Sequence, residues 1–274
     1  MKLDNKEFGF DNFSAEMAKL KNDQHFDYLV TIVGEDFGEE GLGCIYILEN
    51  TKNHERISVK QIAKKVGETD YVIPSVIKLW HDADLLEREV FDFLGIKFLG
   101  HPDMRRLFLR NDFEGYPLRK DFDMSPEHNR FPMTDEPESD WTSEWNLNQF
   151  GELVETKHRL FDTDDFVMNF GPNHPSMHGV LRLQTVVNGE TVKRIYPHLG
   201  YIHRGIEKMM ENMTYPQTLA LTDRLNYLCA MTNRHALVGV IEEAMGVELS
   251  DRIKYIRTII DELQRIHNHL LFLG

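Results

Sequence analysis

Two histidines stand four residues apart in His174-Pro175-Ser176-Met177-His178-Gly179. On one helical face such a pair can ligate zinc. Pro175, with Gly171, Pro172 and Gly179 around it, instead makes this backbone a loop. That weakens the zinc reading and leaves beside it the alternative of a turn with two surface histidines. Ile202-His203-Arg204-Gly205-Ile206-Glu207-Lys208 sets a permanent cation, a glycine and an acid at a strand–helix junction. Glu207 and Lys208 also fit as solvated first-turn charges. Thr222-Asp223-Arg224-Leu225-Asn226-Tyr227 brings a phenol, a hydrogen-bond donor with a reference pKa of about 10. Here Thr222 or Asp223 also suits a helix cap, and Tyr227 a core aromatic with its hydroxyl satisfied.

The elements that must position these groups follow from periodicity. Phe166–Asn169 reads as a strand entering the turn-rich 171–175, and alternation over Leu181–Val187 gives a second strand. Asn188-Gly189 predicts a two-residue hairpin turn into Thr191–Tyr196. From Arg204 onward the pattern is helical. Ser250 suits an N-cap, and Ile253, Ile256, Ile260, Leu263, His267 and Leu270 recur at spacings of three and four. Nearer the start, Ser14–Lys21 predicts a short helix, and Tyr28–Val33, Cys44–Leu48 and Arg56–Val59 predict strands. Over His81–Leu94, Leu86, Val90, Phe93 and Leu94 share a helical face, with acids at the N-terminal end and Gly95 as the left-handed cap. The class is α+β. A small N-terminal α+β domain (1–124) precedes an acidic Pro-containing linker (125–164), then a β-hairpin with long, mainly apolar helices (165–274).

Charge supports that division. Of 274 residues, 31 are Lys or Arg and 45 are acids, a net charge of −14. Eleven acids against three basic residues fall in 125–165, among Pro126, Pro132 and Pro137, as in a solvated linker or strap. Trp141 and Trp145 inside it call for a packed neighbour. The acidity excludes a general nucleic-acid binder, which needs a basic face. No apolar run approaches the ~18 residues of a membrane span, and the polar start is unlike a signal peptide. Cys44 and Cys229 are too few for a disulfide framework or for a cluster needing four thiolates. The expectation is a cytosolic, soluble chain that carries no iron–sulfur centre of its own.

Asn169-Phe170-Gly171-Pro172-Asn173-His174-Pro175-Ser176-Met177-His178-Gly179, Pro197-His198-Leu199-Gly200-Tyr201-Ile202-His203-Arg204-Gly205 and Asp223-Arg224-Leu225-Asn226-Tyr227 strongly resemble the D-type subunit of respiratory complex I, the proton-pumping NADH:quinone oxidoreductase. Glu87-Arg88-Glu89-Val90-Phe91-Asp92-Phe93-Leu94-Gly95-Ile96, Gly100-His101-Pro102-Asp103-Met104-Arg105-Arg106 and Glu114-Gly115-Tyr116-Pro117-Leu118-Arg119-Lys120-Asp121-Phe122 resemble the C-type subunit of the same complex. The C-like part covers about 25–124 and the D-like part about 165–274. The resemblance implies a fused C/D chain whose D part is truncated, being the start of a domain like the hydrogenase large subunit.

The resemblance further implies a quinone site shared with the B-type subunit, which holds the terminal iron–sulfur cluster. His178 and Tyr227 align with the headgroup ligands, His174 with a neighbouring polar residue, and Arg204 with an arginine beside the cluster. Quinone is then the substrate, NADH is bound by other subunits, and no metal is bound by this chain. Implied partners are the B, I and G-type subunits and the H-type subunit of the membrane arm, at the cytoplasmic face of the bacterial inner membrane. Asn226 replaces the family's usual aspartate and Met213 a basic residue, which changes the local electrostatics. The carboxylate partner of the loop histidine would lie after Gly274. A nickel–iron hydrogenase reading needs paired thiolates where Asn226 and Cys229 stand, and Asn226 cannot bridge metals. A structural assembly module is the preferred reading of the C-like half. Its Glu87, Arg88 and Glu89 read as a solvated helix face or docking surface, and Arg105, Arg106, Arg119 and Lys120 as candidates for ion pairs with a partner.

Overall fold

The computed structural model describes residues 4–111, 113–123, 141–160, 165–173 and 179–273. The chain divides into two compact units, Met1–His203 and Arg204–Gly274. In the first, a four-stranded sheet has the order β1 (Asp4–Glu7), β4 (Glu55–Ile62), β3 (Leu42–Asn50), β2 (Tyr28–Asp36). β1 is parallel to β4, and the other pairs are antiparallel. Gly34 lies opposite Cys44 and Ile32 opposite Tyr46, so these residues share one face. On that face α1 (Phe13–Asn22) buries Phe13, Met17 and Leu20, with the Phe13 ring 5.3 Å from that of Tyr46. α2 (Ala83–Leu94) crosses the same face at Gly34, where a Cβ would lie 2.6 Å from Leu94. The missing side chain sets that close approach.

A second sheet has the order β5 (Lys64–Val66), β6 (Asp70–Pro74), β7 (Ile96–Leu99). β6 and β7 are parallel with α2 between them in sequence, a βαβ crossover. Gly95 ends α2 with φ +73°, as its place after the apolar stripe predicts. β8 (Trp141–Leu147) and β9 (Leu153–Arg159) form an antiparallel hairpin within the stretch whose composition reads as linker. It is tied to the unit by Gly100 N–H to Trp145 O (2.9 Å), Met104 N–H to Ser143 O (3.0 Å) and Thr142 Oγ1–H to Asp103 (2.7 Å). The Lys97 ammonium lies 3.8 Å from the Trp145 ring centre. These contacts give Trp145 its packed neighbour, while Trp141 is 51% exposed.

β10 (Phe166–Phe170), β11 (Arg182–Asn188) and β12 (Thr191–His198) form a third antiparallel sheet. Asn188 pairs with Thr191, so the turn is Gly189-Glu190, one residue later than predicted. Gly189 supplies the positive φ at the first central position. The second unit holds α3 (Ile206–Met210), α4 (Tyr215–Thr222), α5 (Ala230–Met245) and α6 (Asp251–Leu273). A Thr214–Gln217 capping box starts α4, and Gly246 ends α5 in the left-handed conformation. Arg257 of α6 grips Glu242 of α5 through two hydrogen bonds of 2.7 Å, and His235 lies 2.6 Å from Asp261.

Candidate functional site

The β10–β11 connection carries the histidine loop. At its mouth the Arg182 guanidinium donates to Asn169 Oδ1 at 3.1 and 2.8 Å. Gly171 has φ +84°, and a Cβ there would overlap the Leu181 carbonyl oxygen, so only glycine lets the strands approach this closely. His174 and His178 themselves lie outside the described residues. Beyond β12 the chain turns at Gly200, where His203 N–H donates to Gly200 O at 2.9 Å. Arg204 is exposed, and the left-handed Gly205 after it is the N-cap of α3.

Tyr227 opens a short 3-10 turn, Tyr227–Cys229, whose every neighbour is bonded. Asn226 Oδ1 accepts from Leu228 N–H (3.1 Å), and its carbonyl accepts from Cys229 N–H (3.0 Å) and from the Asn233 amide (3.3 Å). From α6, Gln264 donates to Leu228 O (2.6 Å) and Asn268 to Cys229 Sγ (3.4 Å). Asn226 thus supplies the cap that an aspartate would supply, without its charge. The turn is fixed and its phenol faces outward, 69% exposed. Just upstream, Asp223 pairs with Arg234 and lies 3.6 Å from Arg224. Among the described residues Arg204 and Tyr227 share no hydrogen bond or ring contact. Cys44 is buried in the first unit's core, where burial pushes its thiol well up.

Two residues of the α2 charged motif, Glu87 and Arg88, are not on a solvated face, while Glu89 is half-buried. Glu87, Arg88 and Asp92 are buried, and buried charges require partners. Glu87 accepts from Ser75 Oγ (2.6 Å) and Val76 N–H (2.7 Å). Burial raises its carboxyl to about 7, against the pull of those hydrogen bonds. His101, also buried, accepts Asp103 N–H on Nδ1 at 3.1 Å, which leaves Nε2 to donate to Asp84 O at 3.2 Å. Burial alone would raise the Asp103 carboxyl, but the Arg105 hydrogen bonds and the Arg88 and Arg105 charges hold it well below the carboxylate range.

Asp92 is the focus of the cluster. One of its oxygens accepts the consecutive N–H groups of Leu107 (3.1 Å), Phe108 (2.7 Å) and Leu109 (2.9 Å), and the other accepts from Arg106 (2.9 Å). One turn earlier, Arg88 donates to the carbonyls of Arg105 and Arg106. Arg105 is bidentate on Asp103, and Arg119 donates to Leu94 O at 2.7 Å, so these cations are used within the chain. A readable signal exists: Ala83, Glu87, Val90 and Leu94 follow spacings of four, three and four, which sets Glu87 on the apolar seam.

Residues 10–128 match the family model described as respiratory-chain NADH dehydrogenase, 30 Kd subunit. The chain is 53% identical to the NADH-quinone oxidoreductase C/D subunit of Phocaeicola vulgatus, over 94% of this chain and 49% of that protein. It is 51% identical to the C/D subunit of Bacteroides thetaiotaomicron (94% and 50%) and 38% identical to the second C/D subunit of Aquifex aeolicus (93% and 45%). The chain therefore spans about half the length of the curated relatives it matches.

Proposed function

We propose that this chain, which belongs to the C/D subunit family of NADH-quinone oxidoreductase, serves in the peripheral arm of complex I and forms part of its quinone-reduction site. The observation that carries the site reading is Tyr227, an outward-facing phenol on a turn fixed by hydrogen bonds from both flanks. Reducing a quinone to a quinol takes two electrons and two protons. The chain's part is to hold a hydrogen-bond donor at a carbonyl oxygen and keep the headgroup in place. Tyr227 donates to one oxygen, and His178, with His174 beside it, supplies the second polar contact. Arg204 is a fixed cation that favours added negative charge nearby.

The electrons come from an iron–sulfur cluster on a partner subunit. Cys44 is in the core and Cys229 carries Asn268, so this chain has no four-thiolate set to hold one. NADH is oxidised on other subunits, and the isolated chain is inactive. B, I and G-type subunits and the H-type subunit of the membrane arm are its neighbours at the cytoplasmic face of the inner membrane. No helix of the described residues is long and apolar enough to cross a membrane. The D-like part is the start of a hydrogenase-large-subunit-like domain. The C-like half is a scaffold, because its charged motifs are used in internal pairs.

Tyr227→Phe in the assembled enzyme removes only the hydroxyl. Quinone-dependent turnover or affinity should fall roughly 5- to 150-fold, the loss of one hydrogen bond at a desolvated carbonyl. His178→Ala should also impair quinone reduction, and NADH oxidation by an artificial acceptor should stay normal in both. Wild-type quinone turnover in both assembled variants, across a range of quinone concentrations, would reject the site.

A further inference from the structure

The sequence motif around Arg106 and the one that contains Arg204 lie almost a hundred residues apart, in the C-like and D-like parts. Within the first unit they meet. Asp92 and Arg88 hold residues 105–109 from both sides, through three N–H groups and two carbonyls. Residue 108 is thereby fixed in backbone and ring alike. The Phe108 ring stacks on Phe93, which follows Asp92 on α2, at 5.5 Å between centres. His203 completes the stack, 5.0 Å from Phe93 and 5.9 Å from Phe108.

The backbone makes the same contact independently. Gly200 has φ +95°, and a Cβ there would overlap the Phe108 carbonyl oxygen. Both ends of the turn 200–203 therefore rest on Phe108: Gly200 on its carbonyl and His203 on its ring. The turn closes on itself through His203 N–H to Gly200 O, and the next residue is Arg204.

We propose that Asp92, Phe93 and Phe108 are positioning residues for Arg204, because they fix the turn from which that arginine leaves the first unit. The proposal rests on the reading of Arg204 as part of the quinone-site machinery. It assigns the C-like half a task beyond docking: its α2 clamp sets where a charged group of the D-like half begins.

The test uses the assembled enzyme and two readouts, amide hydrogen exchange over residues 198–206 and quinone-dependent turnover. Phe108→Ala removes one of the three rings and should speed exchange in that peptide about 2- to 10-fold, the worth of an aromatic pair. Turnover should fall several-fold while NADH oxidation by an artificial acceptor is unchanged. Phe108→Tyr keeps the ring and should restore both readouts. A wild-type value of either readout in assembled Phe108→Ala overturns the clamp. If Phe108→Ala does not assemble, His203→Leu removes the ring from the other side of the stack and is held to the same two criteria. Arg204→Ala separates the underlying reading: wild-type turnover in that variant removes the role of Arg204 itself, whatever the exchange shows.

Discussion

Glu87 shows how a single buried acid shapes the chemistry of the scaffold. Its carboxyl is raised from an ordinary 4.5 to about 7, chiefly by burial. The folded state therefore binds the proton more tightly than the unfolded chain does, and stability falls as pH rises from about 4.5 to about 7, then levels off. A difference of this size corresponds to roughly 3 kcal/mol. Glu87→Gln keeps a carbonyl for Val76 N–H and an amide for Ser75, and has nothing to ionise. Urea unfolding at pH 5 and pH 8 should show the variant gaining on the parent by roughly 2.5 kcal/mol at the higher pH, since part of the effect is already present at pH 5; equal pH dependence of the two would mean that Glu87 is not the titrating group. The same residue marks what is legible in the sequence. Its position on the Ala83–Leu94 seam is readable, but a glutamate among charged neighbours resembles a solvated face until a partner such as Ser75 is seen to satisfy it. Tyr227 is legible as a donor from its motif, whereas the bonds that hold its turn come from Gln264 and Asn268, some forty residues on, at separations that local pattern does not reach.

At the level of elements, α2 against β2 depends on one absent side chain. A Cβ at Gly34 would stand 2.6 Å from Leu94 Cδ1 and 2.8 Å from Val90 Cγ1. Gly34→Ala should destabilise by about 1–3 kcal/mol through overpacking. Adding Leu94→Val should recover part of that loss, read as a positive coupling in a double-mutant cycle of urea midpoints. Simple additivity would show that the helix shifts instead. Elements with strong periodicity are legible: α1, α2 and α6, and strands β2 to β4, sit within a few residues of where alternation and helical spacing place them. The β8–β9 hairpin is not. Its strands carry Glu144, Glu155, Lys157 and Arg159, and β9 is mostly exposed, so composition points to linker. What orders β8 is hydrogen bonding to residues 100–104 and the Lys97–Trp145 contact, which no local pattern encodes. β1 escapes for a related reason, since its four residues pair with a strand about fifty residues away.

On the scale of the whole molecule, α6 bears large apolar side chains in water: Ile259, Leu263, Ile266 and Leu270 are each more than half exposed. The 274-residue chain should therefore bind an environment-sensitive apolar dye well above a compact control protein, and Leu263→Glu with Leu270→Glu should reduce that signal without lowering helicity. Dye binding at the control level would mean that this face of α6 is covered in solution. The α+β class is legible because the apolar period changes from two to about 3.6 along the chain; the meeting of residues 93, 108 and 203 is not, since it joins stretches that the sequence separates by an acidic, proline-containing segment. That meeting has a consequence for how strong it must be. Because Phe108 and His203 belong to one polypeptide, each sees the other at an effective concentration set by the chain between them and not by how dilute the protein is. A three-ring stack and a glycine seat would be far too small to hold two separate proteins together at cellular dilution, yet on a tether they need only choose among conformations already close at hand.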